Sequence, residues 1–136
     1  MPEPHVLELE EGVRLEAAEY CRFREAVGWI PPPVHDVELQ AALDWTWNVV
    51  AREHGELVGI GRLLDDGALY ATIWDMIVLP GQQRHGVGRA ILERLLARAS
   101  RRTIVALVAT PSGRPLYEEY GFRTEDSGSV GMLLRP

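Results

Sequence analysis

A mixed α/β (α+β) sheet in a single domain is the fold class this sequence predicts, and three observations carry it. Residues 47–52 and 56–64 are apolar runs separated by His54-Gly55, the pattern of a hairpin. Residues 68–79 form a longer β-branched and aromatic run, apolar on both faces, as in a central strand covered on both sides. An amphipathic helix and another apolar run, residues 103–109, follow it; strand, helix and strand in that order predict a parallel crossover onto a buried strand.

The remaining elements fit around this frame. Residues 6–10 alternate apolar and acidic side chains, as a half-buried strand does, and Gly12 ends it. Leu15, Ala18, Cys21 and Ala26 recur at near-helical spacing, which predicts a helix over 15–27 with Gly28 as its stop and Cys21 in the core. Trp29-Ile30-Pro31-Pro32-Pro33 reads as an extended loop, because three prolines exclude a helix. Asp36 is placed to cap a second short helix carrying Leu39, Ala42 and Leu43. Gly59 and Gly61 weaken the second hairpin strand, so a bulge or a close backbone approach is expected there. Asp65-Asp66-Gly67 is a turn. Val87, Ile91, Leu95 and Ala99, widened by Leu92 and Leu96, define the strongest helix, with Arg94, Arg98, Arg101 and Arg102 towards its C-terminal end. Residues 111–120 allow a short helix stopped by Gly121, and two short strands near 122–123 and 130–134 close the expected fold.

Composition bounds the function. The 136 residues suit one domain, and 46% of them are hydrophobic, enough for a real core. No apolar run is long enough to span a bilayer, residues 1–5 lack the basic and apolar regions of a signal peptide, and Cys21 is the only cysteine. The expectation is a cytoplasmic protein without membrane partners. A net charge of −6 argues against a nucleic-acid partner and mildly favours cationic small molecules. All 14 basic residues are arginine.

The loop from Val78 to Arg89 carries two glycines and no acid, between an apolar run and the strongest helix. Unpartnered amides at a helix start, together with the helix dipole, make an anion site, most simply for phosphate. A dinucleotide motif would need a third glycine where Ile91 stands, and a P-loop would need a lysine that the chain lacks. The pattern that remains is Gln83-x-x-Gly86-x-Gly88, preceded by Val78-x-Pro80 and joined downstream by Tyr117-Glu118-Glu119-Tyr120-Gly121-Phe122. Together these segments resemble the acyl-CoA loop and the later Tyr-Glu-x-x-Gly-Phe segment of the GCN5-related N-acetyltransferases. Val58-Gly59-x-Gly61-Arg62 and Gly28-Trp29 are similar to a bacterial branch of that family.

The resemblance implies a mostly antiparallel sheet with one splayed parallel pair, and acetyl-CoA as co-substrate. It implies that Gln83, Arg84, His85, Gly86, Val87, Gly88 and Arg89 bind the pyrophosphate, chiefly through backbone amides. The pantetheine arm would pair beside Met76, Ile77 and Val78, in a gap opened against residues 105–109. Tyr117 would be the acid that protonates the thiolate leaving group. A homodimer through terminal strands is a further expectation of the same kind.

Asp75 is a charge inside an apolar strand, which is costly unless it is paired or neutralised. It is read either as a general base whose pKa burial raises or as a structural carboxylate bonded to backbone at the splay. Trp29, Tyr70 and Asp75 are the candidate acceptor pocket; Trp45, Trp47 and Trp74 are read as core. Glu118 and Glu119 are read as a solvated helix face. The four histidines have no ligand spacing, so no metal site is expected. The reading is direct acetyl transfer to a primary amine of a small, cationic molecule or a peptide. A non-catalytic acyl-CoA sensor is the alternative.

Overall fold

The computed structural model describes residues 6–30, 32–83 and 86–136. Expectations placed on residues 1–5, Pro31, Arg84 and His85 lie outside them. The order of elements is β1 (Leu7–Glu11), α1 (Ala17–Ala26), α2 (Asp36–Trp45), β2 (Trp47–Glu53), β3 (Glu56–Asp65), β4 (Tyr70–Val78), α3 (Val87–Arg98), β5 (Ile104–Leu107) and α4 (Arg114–Glu119). The sheet runs β1-β2-β3-β4-β5; the first four strands are antiparallel neighbours and β4 pairs with β5 in parallel. This is the mixed, mostly antiparallel sheet the sequence predicts. Among the described residues no helix is long and apolar enough to cross a membrane.

Each face of the sheet has its own core. On one side Val87, Ile91, Leu92, Leu95 and Ala99 of the α3 stripe pack on Val49, Ala51, Leu63 and Ile73. Four of these α3 side chains are essentially inaccessible, and burying each contributes about 1.5–3 kcal/mol. Gly59 and Gly61 explain how close α3 sits. A Cβ on Gly61 would come within 2.7 Å of Ile91 and 2.8 Å of Leu95, and one on Gly59 within 2.8 Å of Ile91. On the other face α1 and α2 cover Val50, Ile60 and Ile77.

Several local expectations are corrected. The buried face of α1 is Ala17, Tyr20 and Phe23; Ala18 and Ala26 are exposed and Cys21 is only half-buried. Two aromatic rings bury more area than alanines and a cysteine, so they set the helix's rotation. Asp36 is the first residue of α2, after His35, and makes no capping hydrogen bond; there it faces the positive end of the helix dipole. Strand β5 is an edge strand with Ile104 exposed, not a buried strand. Residues 122–123 and 130–134 form no strand; Val130, Met132 and Leu134 alternate but are all more than three-quarters exposed, with no neighbour to pair against. Trp45 and Trp74 are exposed instead of packing in the core; Trp47 is half-buried against it.

Candidate active site

The site begins with a fault in β4. Its pairing with β3 steps from Ile60–Ile77 to Arg62–Trp74, so Asp75 and Met76 together face the single residue Gly61. This is a β-bulge, and Asp75 takes the strain with a φ of +52°, rare for a residue with a side chain. Gly61 allows the bulge, because a Cβ there would also meet the Met76 sulfur at 2.8 Å.

The second feature is where the parallel pair stops. Strands β4 and β5 are paired only from Tyr70–Ile104 to Ile73–Leu107. Beyond that point Met76, Ile77 and Val78 keep β3 on one side and have no ladder partner on the other. Unpaired backbone donors and acceptors along a strand edge suit an extended polar ligand. The opening lies in a cleft of about 850 Å³, lined among others by Met76, Val78, Gly88, Thr110 and Tyr117.

At one end of the cleft Gly86 adopts φ +73° and α3 starts at Val87. The first helical bond runs from the Ala90 N–H to the Gly86 carbonyl at 3.0 Å, so the preceding amides of Val87, Gly88 and Arg89 have no helical acceptor. A Cβ on Gly88 would stand 3.6 Å from Leu116 and Val78, which shows how near the helix start comes to the cleft wall. The Gln83 side-chain amide donates to the Val78 carbonyl at 3.4 Å and ties the loop to the end of β4. Arg89 is engaged at the surface: it pairs with Glu119 at 2.7 Å and donates to the Tyr120 hydroxyl at 3.3 Å. The bound Glu119, and Glu118 paired with Arg114 at 2.9 Å, belong to an exposed, ion-paired helix face.

At the other end stands Tyr117. Helix α4 starts with Pro115 in its first turn and ends before Gly121, at φ +91°. The Tyr117 ring is nearly buried, 5.9 Å edge-on from Phe122, yet it lines the cleft. Burial raises its phenol pKa above the ordinary value. No hydrogen bond ties up its hydroxyl among the described residues, so the proton is available to a group in the cleft.

Asp75 has a different setting from either expectation. Its Oδ2 accepts from the Tyr20 hydroxyl at 2.6 Å and from Arg62 at 2.9 Å, and Arg24 lies 3.6 Å from Oδ1. Its partners are side chains from α1 and β3, not the backbone. Both hydrogen bonds fall on Oδ2, so the phenol and the Arg62 guanidinium fix the carboxylate in place. Burial and the neighbouring Asp75 charge raise the Tyr20 phenol pKa. Tyr20 and Arg24 were not singled out by sequence, and Arg62 stood only within the Val58–Arg62 motif, without a role in the site; only the contrast of charge with apolar surroundings pointed to this cluster, and only at Asp75. Trp29 lines the cleft as expected, and Arg24 stacks on it at 5.2 Å. Tyr70 lies at the paired end of β4, exposed and away from the cleft. Among the described residues no three His, Cys, Asp or Glu side chains are grouped to hold a metal.

Bulge, splay and glycine loop define a class of fold, and comparison with known proteins places the chain in it. The model of the acetyltransferase (GNAT) domain matches residues 45–124, more than half of the chain. The protein belongs to the GNAT acetyltransferase family. A histone acetyltransferase from Glycine max is 32% identical over 82% of this chain and 54% of its own length. The chain thus spans about half the length of that relative. A GNAT-family acetyltransferase from Streptococcus pneumoniae superposes with a TM-score of 0.82 at 24% identity, over 96% of this chain and 98% of that one. A predicted acetyltransferase from Clostridium acetobutylicum, solved with acetyl-CoA, gives 0.68 at 21% identity, over 94% and 96%. At these identities the two structures establish a common fold.

Proposed function

We propose that the protein transfers an acetyl group from acetyl-CoA to a primary amine by direct attack. One observation carries this reading: the edge of Met76, Ile77 and Val78 left without a ladder partner, the amides at the start of α3 and the Tyr117 hydroxyl, unengaged among the described residues, all border one cleft. The residues fit the co-substrate's chemistry. Amides of Val87, Gly88 and Arg89 would hold the pyrophosphate, and the strand edge would pair with the amides of the pantetheine arm. Gln83 would steady the loop.

The co-substrate supplies an acyl carbon and a sulfur leaving group. The ammonium gives one proton to water, the free amine forms the N–C bond as the C–S bond breaks, and the nitrogen then loses a second proton to water. Tyr117 donates its phenolic proton to the departing sulfur and recovers a proton from solvent. Asp75 serves as a positioning residue: it holds Tyr20, Arg24 and Arg62 beside the bulge. Water is the base in this scheme.

We further propose that residues 1–136 act as one N-acetyltransferase domain in the cytoplasm. The exposed apolar residues Val130, Met132 and Leu134 are the surface for a homodimer, which sedimentation would test. The function itself is tested by calorimetric titration with acetyl-CoA and mass spectrometry of a primary-amine panel. Saturable binding with acetylated product is expected. Binding without product from any amine would favour an acyl-CoA sensor, and no binding would overturn both readings.

A further inference from the structure

Beside the cleft lies a second cavity of about 460 Å³, on the face covered by α1 and α2. Trp74 and Asp75 line both, so the two spaces meet at the bulge. The second cavity contains Tyr20, Arg24, Arg62 and Trp45, none of which the acyl-transfer scheme uses directly.

Its charges do not balance. Arg24 and Arg62 share the single carboxylate of Asp75, and the three side chains are 18%, 13% and 11% exposed. No other acidic side chain among the described residues forms an ion pair with either arginine. The surroundings supply dipoles and ring faces but no second anion: Arg24 lies 5.5 Å from the Tyr20 ring and 5.2 Å from the Trp29 ring, and Arg62 lies 5.8 Å from the Tyr20 ring. Arg24 donates to the Tyr20 hydroxyl at 2.9 Å and the Ile30 carbonyl at 3.0 Å. Arg62 donates to the Thr46 hydroxyl at 2.8 Å and the Ala42 carbonyl at 3.3 Å. Carbonyl dipoles and the C-terminal end of α1 offset part of the excess, but they are not a second anion. A largely buried cation without its own counter-charge is costly, and one that sits beside a substrate opening is paired most simply by the substrate.

The two arginines are not equivalent. All three nitrogens of Arg62 have an acceptor, and one of those acceptors is Asp75. Arg24 has only a 3.6 Å approach to Asp75, and its Nε is buried without any hydrogen-bond partner. Arg24 therefore carries the unpaired charge. Trp45 and Trp74, 77% and 43% exposed, line the same cavity, and Trp29, which lines the neighbouring cleft, lies 5.2 Å from the Arg24 guanidinium. Exposed tryptophans that line a cavity offer a binding surface.

We propose that this cavity recognises the acceptor, and that the acceptor is a primary amine bearing a carboxylate and an apolar or aromatic body. Arg24 binds the carboxylate, Trp45 and Trp74 hold the body, and the amine reaches the bulge beside Met76. A guanidinium fork matches a carboxylate geometrically, and one spare positive charge balances one negative charge. Polyamines are disfavoured, because they would add charge of the same sign. This departs from the small cationic acceptor that the overall charge of −6 suggests, because local charge decides binding. The proposal rests on the acetyltransferase reading for the reaction, but the cavity's preference for a carboxylate is measurable without turnover.

The test uses matched pairs, phenylalanine against phenethylamine and tryptophan against tryptamine, with spermidine and phosphoethanolamine as competitors. Thiol release from acetyl-CoA gives kcat/KM for each. Binding of the phenylalanine pair is followed in parallel by tryptophan fluorescence without acetyl-CoA. The expected preference for the carboxylated member is about tenfold or more, expressed in KM and in Kd. Arg24→Gln is expected to bring the ratio to near unity, and Arg24→Lys to restore part of it. Circular dichroism melting of each variant separates recognition from loss of fold. Equal binding of both members of each pair, a ratio unchanged in folded Arg24→Gln, or preference for spermidine or phosphoethanolamine would overturn the proposal. Failure of acetyl-CoA to bind, with the carboxylate preference intact, would instead count against the acetyltransferase reading.

Discussion

Tyr117 and Asp65 show how individual side chains acquire a pH dependence from their neighbours. Burial raises the Tyr117 phenol, so the group stays protonated through neutral and mildly alkaline pH. As an acid it should sustain the rate until above pH 10, where the phenol begins to ionise; a pH profile of kcat falling well below that value would deny it the role. The same shift affects stability. The unfolded phenol ionises first, so its stabilising contribution is full below pH 10 and is lost as pH rises through the raised folded value. Asp65 moves the other way. Arg102 grips both its oxygens at 2.6 and 2.8 Å and holds its pKa down to about 2, from an ordinary 3.8. The unfolded carboxyl takes up a proton first, so this stabilisation is present above pH 3.8 and lost as pH falls through about 2. Urea midpoints of wild type and Asp65→Asn should converge across that window and differ above it.

At this scale the sequence was legible where function depends on local pattern. Gly86, Gly88 and Tyr117 lie in short motifs, and each borders the cleft. Arg24, Tyr20 and Arg62 were not legible. Tyr20 meets Asp75 across 55 positions, and that meeting depends on the rotation of α1. The spacing of Ala18, Cys21 and Ala26 misjudged that rotation by one residue, because it counted apolar positions without weighing the size of Tyr20 and Phe23.

Elements explain how a sheet that should be continuous opens at one place. The bulge at Asp75 and Met76 and the early end of the β4–β5 pairing lie on the same strand, a residue or two apart. Gly61 supports both α3 and the bulge. Gly61→Val is expected to cost about 1–3 kcal/mol in urea unfolding, because its side chain would overlap Ile91, Leu95 and Met76. It should also weaken acetyl-CoA binding by displacing β4. A stable Gly61→Val protein with unchanged affinity would show that the bulge does not depend on that glycine. The sequence indicated the place through Gly59 and Gly61, but not the partner strand that carries the extra residue. It also overstated the closing strands. Val130, Met132 and Leu134 have strand periodicity, but alternation is only half of a strand's requirement, and no neighbour supplies the ladder.

The whole molecule joins the cleft at the start of α3, proposed for the donor, to an α1- and α2-side face that contains the charged, tryptophan-lined cavity. Trp74 and Asp75, at the break in the sheet, line both spaces. This arrangement predicts that acetyl-CoA stabilises the folded chain by mass action, by about 2.7 kcal/mol at a hundred times its Kd, visible as a rise in Tm. The most direct test of the account is amine-dependent release of thiol from saturating acetyl-CoA, measured for wild type and Tyr117→Phe. The account predicts turnover in wild type and a kcat lower by about a hundredfold in the variant, with acetyl-CoA affinity nearly unchanged. Turnover that persists undiminished without the Tyr117 hydroxyl would contradict it.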